Sequence, residues 1–135
     1  MFRFSRRSYA IVAVLLLSVG GDVFAQQPSV PAGNWNGVIR SAGASARVDA
    51  TFKPKLVTLH FPEPFNCTVN ANFLKADKDG SHYTLKPPPN GGQFCEELYP
   101  NAVLVITPSA TTLSLSLNNP KTKWTGRLTP TQPTH

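Results

Sequence analysis

Residues 67–73 read Cys67-Thr68-Val69-Asn70-Ala71-Asn72-Phe73, and this stretch decides the fold class. Cys67, Val69, Ala71 and Phe73 share one face, and Thr68, Asn70 and Asn72 share the other. That alternation has the two-residue period of a half-buried β-strand, in which successive side chains point to opposite faces. The same period recurs on both sides of it. Upstream, Trp35, Gly37 and Ile39 alternate with Asn36, Val38 and Arg40. Val48, Ala50 and Phe52 alternate with Arg47, Asp49 and Thr51, and Val57, Leu59 and Phe61 with Leu56, Thr58 and His60. Downstream, Tyr83 and Leu85 alternate with His82 and Thr84. Ala102, Leu104 and Ile106 enclose Val103 and Val105, giving a strand apolar on both faces. Leu113, Leu115 and Leu117 alternate with Thr112, Ser114 and Ser116, and Trp124, Gly126 and Leu128 with Thr125 and Arg127.

Turn residues punctuate these runs. They are Gly43, Lys53-Pro54-Lys55, Pro62-Glu63-Pro64, Asp77-Lys78-Asp79-Gly80 and Asn118-Asn119-Pro120, residue types that break strands or supply turn backbone conformations. The stretch from Lys86 to Gln93 (KPPPNGGQ) reads as irregular, and Glu96 to Tyr99 has room for one helical turn before Pro100. The pattern therefore predicts eight short strands, no sustained helix and an all-β fold. Unpaired sheet edges invite aggregation, and closure removes them. Trp35-Asn36-Gly37-Val38-Ile39 and Trp124-Thr125-Gly126-Arg127-Leu128 share the form W-x-G-x-aliphatic. The expectation is that first and last strands pair and complete a small antiparallel up-and-down barrel, with a β-sandwich as the alternative.

The ends are organised differently. Arg3, Arg6 and Arg7 precede an apolar run from Ala10 to Val19, and Val23-Phe24-Ala25 precedes Gln26. This is the three-part layout of a secretory signal peptide, and the run is shorter than the ~20 residues of a spanning helix. Residues 1–25 are read as the signal, 26–33 as a mobile leader, 34–128 as the barrel and 129–135 as a flexible tail. The expected location is the periplasm or the extracellular space, with no membrane span left after cleavage. Loss of Arg3, Arg6, Arg7 and Asp22 with the signal lowers the net charge from +6 to +4. An even pair of cysteines in an exported chain predicts a Cys67–Cys95 disulfide. C-x-x-C spacing is absent and Glu96 and Glu97 disfavour a thiolate, so the bridge reads as structural.

A resemblance to known families follows from these residues. Gly33-Asn34-Trp35 at the start of the first strand resembles the G-x-W signature of calycin barrels, the group that includes lipocalins and avidin-like proteins. That resemblance implies a barrel that binds small apolar ligands in its interior without catalysis, with a basic residue of the last strand, here Arg127, packed over the tryptophan. In size, class and compartment the chain also resembles bacterial periplasmic lysozyme inhibitors, which implies protein binding outside the cytoplasm.

Catalytic signatures are sparse. Gly43-Ala44-Ser45-Ala46-Arg47 lacks the closing glycine of a nucleophile elbow. Asp77-Lys78-Asp79-Gly80 opens like a calcium loop, but Pro88 stands where the bidentate glutamate belongs. His60 and His82 share a metal only if their strands are neighbours, and two ligands make a weak site. No catalytic residue, metal or cofactor is expected. Lysines beside turns keep a barrel soluble, and several at one end attract an anionic cell-surface polymer or acidic protein. Core-facing aromatics leave no stacking platform for nucleic acid.

The expectation is an exported, non-catalytic binding module that meets a protein or cell-envelope partner through loops at one barrel end. Its contact residues are placed on the long loop, at Pro87, Pro88, Pro89 and Asn90, with Phe94 and Tyr99 as aromatic anchors. The alternatives are a carrier of a small apolar ligand and a structural subunit of an envelope assembly, the latter drawing on the second apolar face at Val103 and Val105.

Overall fold

The computed structural model describes residues 31–131. The signal segment 1–25, most of the leader and residues 132–135 lie outside the described residues. Eight strands form a closed antiparallel barrel in the order of the chain: β1 (Gly33–Ser41), β2 (Ala44–Lys53), β3 (Leu56–Phe61), β4 (Cys67–Asp77), β5 (Gly80–Leu85), β6 (Val103–Ser109), β7 (Thr112–Asn118) and β8 (Lys123–Pro130). One short helix, α1 (Gln93–Leu98), lies between β5 and β6.

Each alternating run became a strand because one of its faces is apolar enough to bury. The inward set includes Val48, Val57, Leu59, Val69, Leu104, Ile106, Leu117 and Leu128, all essentially inaccessible to solvent. Among the described residues, twenty-three buried apolar side chains form the core, as expected when eight strands enclose a space that side chains can fill. The closure predicted from the two W-x-G-x-aliphatic segments is present. β1 and β8 pair antiparallel, with Gly37 opposite Leu128 and Gly126 opposite Ile39. The glycine of each segment thus faces the aliphatic residue of the other.

Four differences from the sequence reading have physical causes. β4 does not end at Phe73 but runs on to Asp77 through a bulge between Phe73 and Lys75. An extra residue in one strand shifts the inside–outside phase, which hides the strand's continuation from a strict two-residue count. β8 reaches Pro130, and the Thr131 amide donates to the Asn34 carbonyl, so the first residues read as tail belong to the sheet, as does Gly33 at the start of β1. α1 replaces the expected irregular stretch at Gln93 and Phe94 and extends the single turn expected before Pro100. Finally, Arg127 does not cover Trp35. It lies opposite Val38 and is exposed on the outer wall, whereas Trp35 packs against the core and donates its indole N–H to the Ala32 carbonyl at 3.1 Å.

Among the described residues the interior holds one polar anomaly. Ser81 and Tyr83 are buried on the same face of β5, and neither hydroxyl meets a hydrogen-bond partner with acceptable geometry. Phe52 and Phe73 present their rings to Tyr83 at 6.4 and 5.7 Å. Burial pushes the phenol up to about 12 from an ordinary 10.0, and the neighbouring Ser81 hydroxyl opposes this to a lesser degree. A raised phenol leaves stability intact below pH 10 and removes it as the pH climbs toward the folded-state value, by roughly 2–3 kcal/mol over that window. Tyr83→Phe is expected to abolish this share of the alkaline loss. At neutral pH it is expected to raise stability by about 1 kcal/mol, because an unpaired buried hydroxyl is removed. Urea denaturation of both proteins at neutral pH and above pH 10 checks both signs.

Candidate functional site

An antiparallel barrel of this order puts the β1–β2, β3–β4, β5–β6 and β7–β8 connections at one end, and the other three turns with both chain ends at the opposite one. The first end carries the features of a site. Residues 86–92 cross it without regular structure and deliver the chain to α1.

α1 has only six residues, too few to be stable alone. Its sequence is nevertheless amphipathic. Phe94, Cys95 and Leu98 fall at i, i+1 and i+4 and turn toward the barrel, while Glu96 and Glu97 turn to solvent. Cys95 is bonded to Cys67 at the start of β4, with the two Cα atoms 6.1 Å apart. Gly92, at φ +100°, lets the backbone pass close to this bridge, since a Cβ there would come within 2.8 Å of the Cys67 Cβ. Phe94 is the hub of an aromatic cluster closing the barrel mouth. Its ring stacks on Phe65 with centroids 4.1 Å apart, and meets Phe61 and Trp124 edge-on at 4.9 and 5.5 Å. Such pairs contribute about 0.5–1.5 kcal/mol each beyond the area they bury.

The far end of the helix is held by one side chain from the β7–β8 turn. Asn119 Nδ2 donates to the Glu97 and Leu98 carbonyls, each at 3.2 Å. Its Oδ1 accepts from the Lys121 and Thr122 amides at 2.9 and 2.7 Å and from the Thr122 hydroxyl at 3.1 Å. Asn119 therefore shapes its own turn and also satisfies carbonyls that a helix C-terminus leaves unpaired.

Between α1 and that turn lies a cleft of about 650 Å³. Phe94, Leu98, Trp124, Pro100 and Pro120 give it an apolar lining; Glu96, Glu97, Asn101, Asn119, Lys121 and Thr122 supply its polar groups. Concave, mainly apolar surface with a few directed polar groups is the usual make-up of a binding site. Of the residues expected to make contact, Phe94 lines this cleft. Pro87, Pro88, Pro89 and Asn90 stand on the neighbouring loop and Tyr99 packs against the core, none of them in the lining. Sequence reasoning missed Trp124, which it assigned to the core alone, and the turn residues 119–122. Glu96 and Glu97, in the stretch expected to form one helical turn, are both exposed residues of α1 that line the cleft. The F-C-x-x-L spacing after Gly91-Gly92 and before Pro100 is the signal that identifies the helix.

The histidines take separate places. β4 stands between their strands; His60 lies opposite Thr68 near its start and His82 opposite Lys75 near its end, so they do not share a metal. His60 Nδ1 lies 3.0 Å from the Thr68 hydroxyl. His82 Nε2 lies 2.9 Å from Asp77 Oδ1. Hydrogen bonding by His82, reinforced by the Asp79 amide, holds the Asp77 carboxyl below the usual carboxylate range. Among the described residues there is no group of three or more His, Cys, Asp or Glu placed to hold a metal ion, and no helix long and apolar enough to cross a membrane. Comparison with protein-family models, with curated proteins and with solved structures gives no match.

Proposed function

We propose that the chain is an exported, non-catalytic binding module that recognises a protein or cell-envelope partner at the α1 end of its barrel. Residues 1–25 direct export on this reading, and the cleft between α1 and the β7–β8 turn receives the partner. The observation that carries it is the construction of the cleft. Its helix is tied at one end by Cys67–Cys95 and at the other by Asn119, so its aromatic floor is held in place before binding. Preorganisation of this kind lowers the ordering cost of association. The interior-carrier alternative loses support because the buried side chains occupy the space that a ligand would need.

The test is affinity capture from the native envelope with three baits: the natural protein, Thr122→Trp, which adds bulk in the cleft, and a variant whose residues 87–90 are replaced by glycine and serine. A partner retained by the natural protein and the loop variant, but held at least about tenfold more weakly by Thr122→Trp, supports the cleft; filling a pocket forfeits on the order of 1.4 kcal/mol or more. Retention by Thr122→Trp with loss in the loop variant assigns recognition to the loop instead. A small apolar molecule released from the purified protein in native mass spectrometry overturns the reading in favour of a carrier.

A further inference from the structure

The opposite end of the barrel carries a surface independent of the cleft. Leu74 is the exposed large hydrophobic residue among the described residues, 59% accessible. It sits on the β4 bulge, where the pairing passes from Phe73 opposite Tyr83 to Lys75 opposite His82. The bulge lets Phe73 stay against the core while Leu74 and Lys75 both reach solvent. The β2–β3 turn lies alongside, since the Phe73 amide donates to the Lys55 carbonyl at 2.9 Å. That turn contributes exposed Lys53, Pro54 and Lys55, followed by half-buried Leu56 on the outer wall. Lys78 lies at the tip of the β4–β5 hairpin, where the acidic groups are Asp77 and Asp79. Asp77 is engaged by His82 Nε2 at 2.9 Å and by Lys75 Nζ at 3.7 Å.

A single exposed leucine needs no explanation. One raised on a bulge beside a proline and a second leucine, and flanked by lysines, has the make-up of a surface that settles on anionic lipid. Apolar atoms enter the headgroup boundary while ammonium groups stay among the phosphates. An anionic polysaccharide satisfies the lysines and leaves Leu74 unused. Among the described residues nucleic acid finds no exposed aromatic ring to stack on. We propose that the Leu74 bulge and the β2–β3 turn form a docking surface for an anionic bilayer, with Lys53 and Lys55 on its headgroups and Leu74 at the apolar boundary.

The experiment is co-sedimentation of the exported protein, which lacks residues 1–25 on the reading proposed above, with vesicles of phosphatidylcholine alone or mixed equally with phosphatidylglycerol. Binding to the mixed vesicles is expected to weaken with salt. Lys53→Gln/Lys55→Gln is expected to lower it about 25-fold, at roughly fivefold per lysine. Leu74→Ser is expected to lower it roughly tenfold. Leu74→Trp is expected to keep binding and to shift its emission to shorter wavelength with the mixed vesicles only. Circular dichroism and melting temperature confirm that each variant folds. Equal binding to both vesicle types overturns the proposal, as does Leu74→Ser binding like the natural protein. Full competition by soluble dextran sulfate with no shift in Leu74→Trp emission assigns the surface to a polymer and overturns it as well.

Discussion

Replacing Cys67 and Cys95 together by alanine is expected to lower the stability of the protein by about 3.5 kcal/mol and to dissolve the cleft before the barrel. The magnitude follows from loop entropy. The bridge spans a sequence separation of 28 residues, and restricting an unfolded chain over that length is worth roughly this much. Net stabilities of small domains are only ~5–15 kcal/mol, so the effect is a large share of the whole. The order of events follows from local structure. The barrel is closed by strand pairing on every side, whereas α1 is a six-residue helix with no side-chain cap at Gly92. Without the covalent tie, α1 is held by Phe94, Leu98 and the Asn119 hydrogen bonds alone. Denaturation followed by tryptophan fluorescence is expected to show Trp124 becoming solvated ahead of the loss of strand signal in circular dichroism. Coincident transitions at an unchanged midpoint would count against this account.

Gly126→Val is expected to destabilise the barrel by about 3 kcal/mol or more and to promote aggregation. A Cβ at Gly126 runs into the Val38 carbonyl oxygen and comes within 3.0 Å of Ile39; a Cβ at Gly37 meets the Arg127 carbonyl oxygen and lies 3.1 Å from Leu128 Cδ2. These are backbone obstacles, so relief requires β1 and β8 to separate. Overpacking that rotamer changes can absorb costs about 1–3 kcal/mol. Here the ladder that closes the barrel must also give way, exposing two strand edges to other molecules. Gly37→Ala is expected to act the same way more mildly, and the Gly37→Ala/Gly126→Ala pair to fall short of the sum of its parts, because one separation of the seam relieves both clashes. Thermal denaturation with size-exclusion chromatography reads both effects. A soluble monomer that melts with the natural protein would show that the seam has slack.

Much of this architecture is written in the order of the residues. Alternation of the Val69-Asn70-Ala71 kind sets strand type locally, because a residue's face depends only on its parity along an extended backbone. That is why all eight strands were legible without coordinates; turn residues marked Gly43 and Asp77–Gly80, an even count marked the cysteine pair, and the two W-x-G-x-aliphatic segments marked the β1–β8 closure. The site was legible only in part. Phe94 stood out as an aromatic beside a long loop, but Trp124 carried the same signature as any core residue. The cleft exists because Asn119, twenty-two residues beyond Glu97, caps the helix that Cys95 ties to Cys67. Parity is a property of neighbours in the chain; a concavity is a property of neighbours in space. The same distinction governs Leu74 and Arg127. One bulge puts Leu74 in solvent, and the register of one seam sets Arg127 opposite Val38 and not over Trp35.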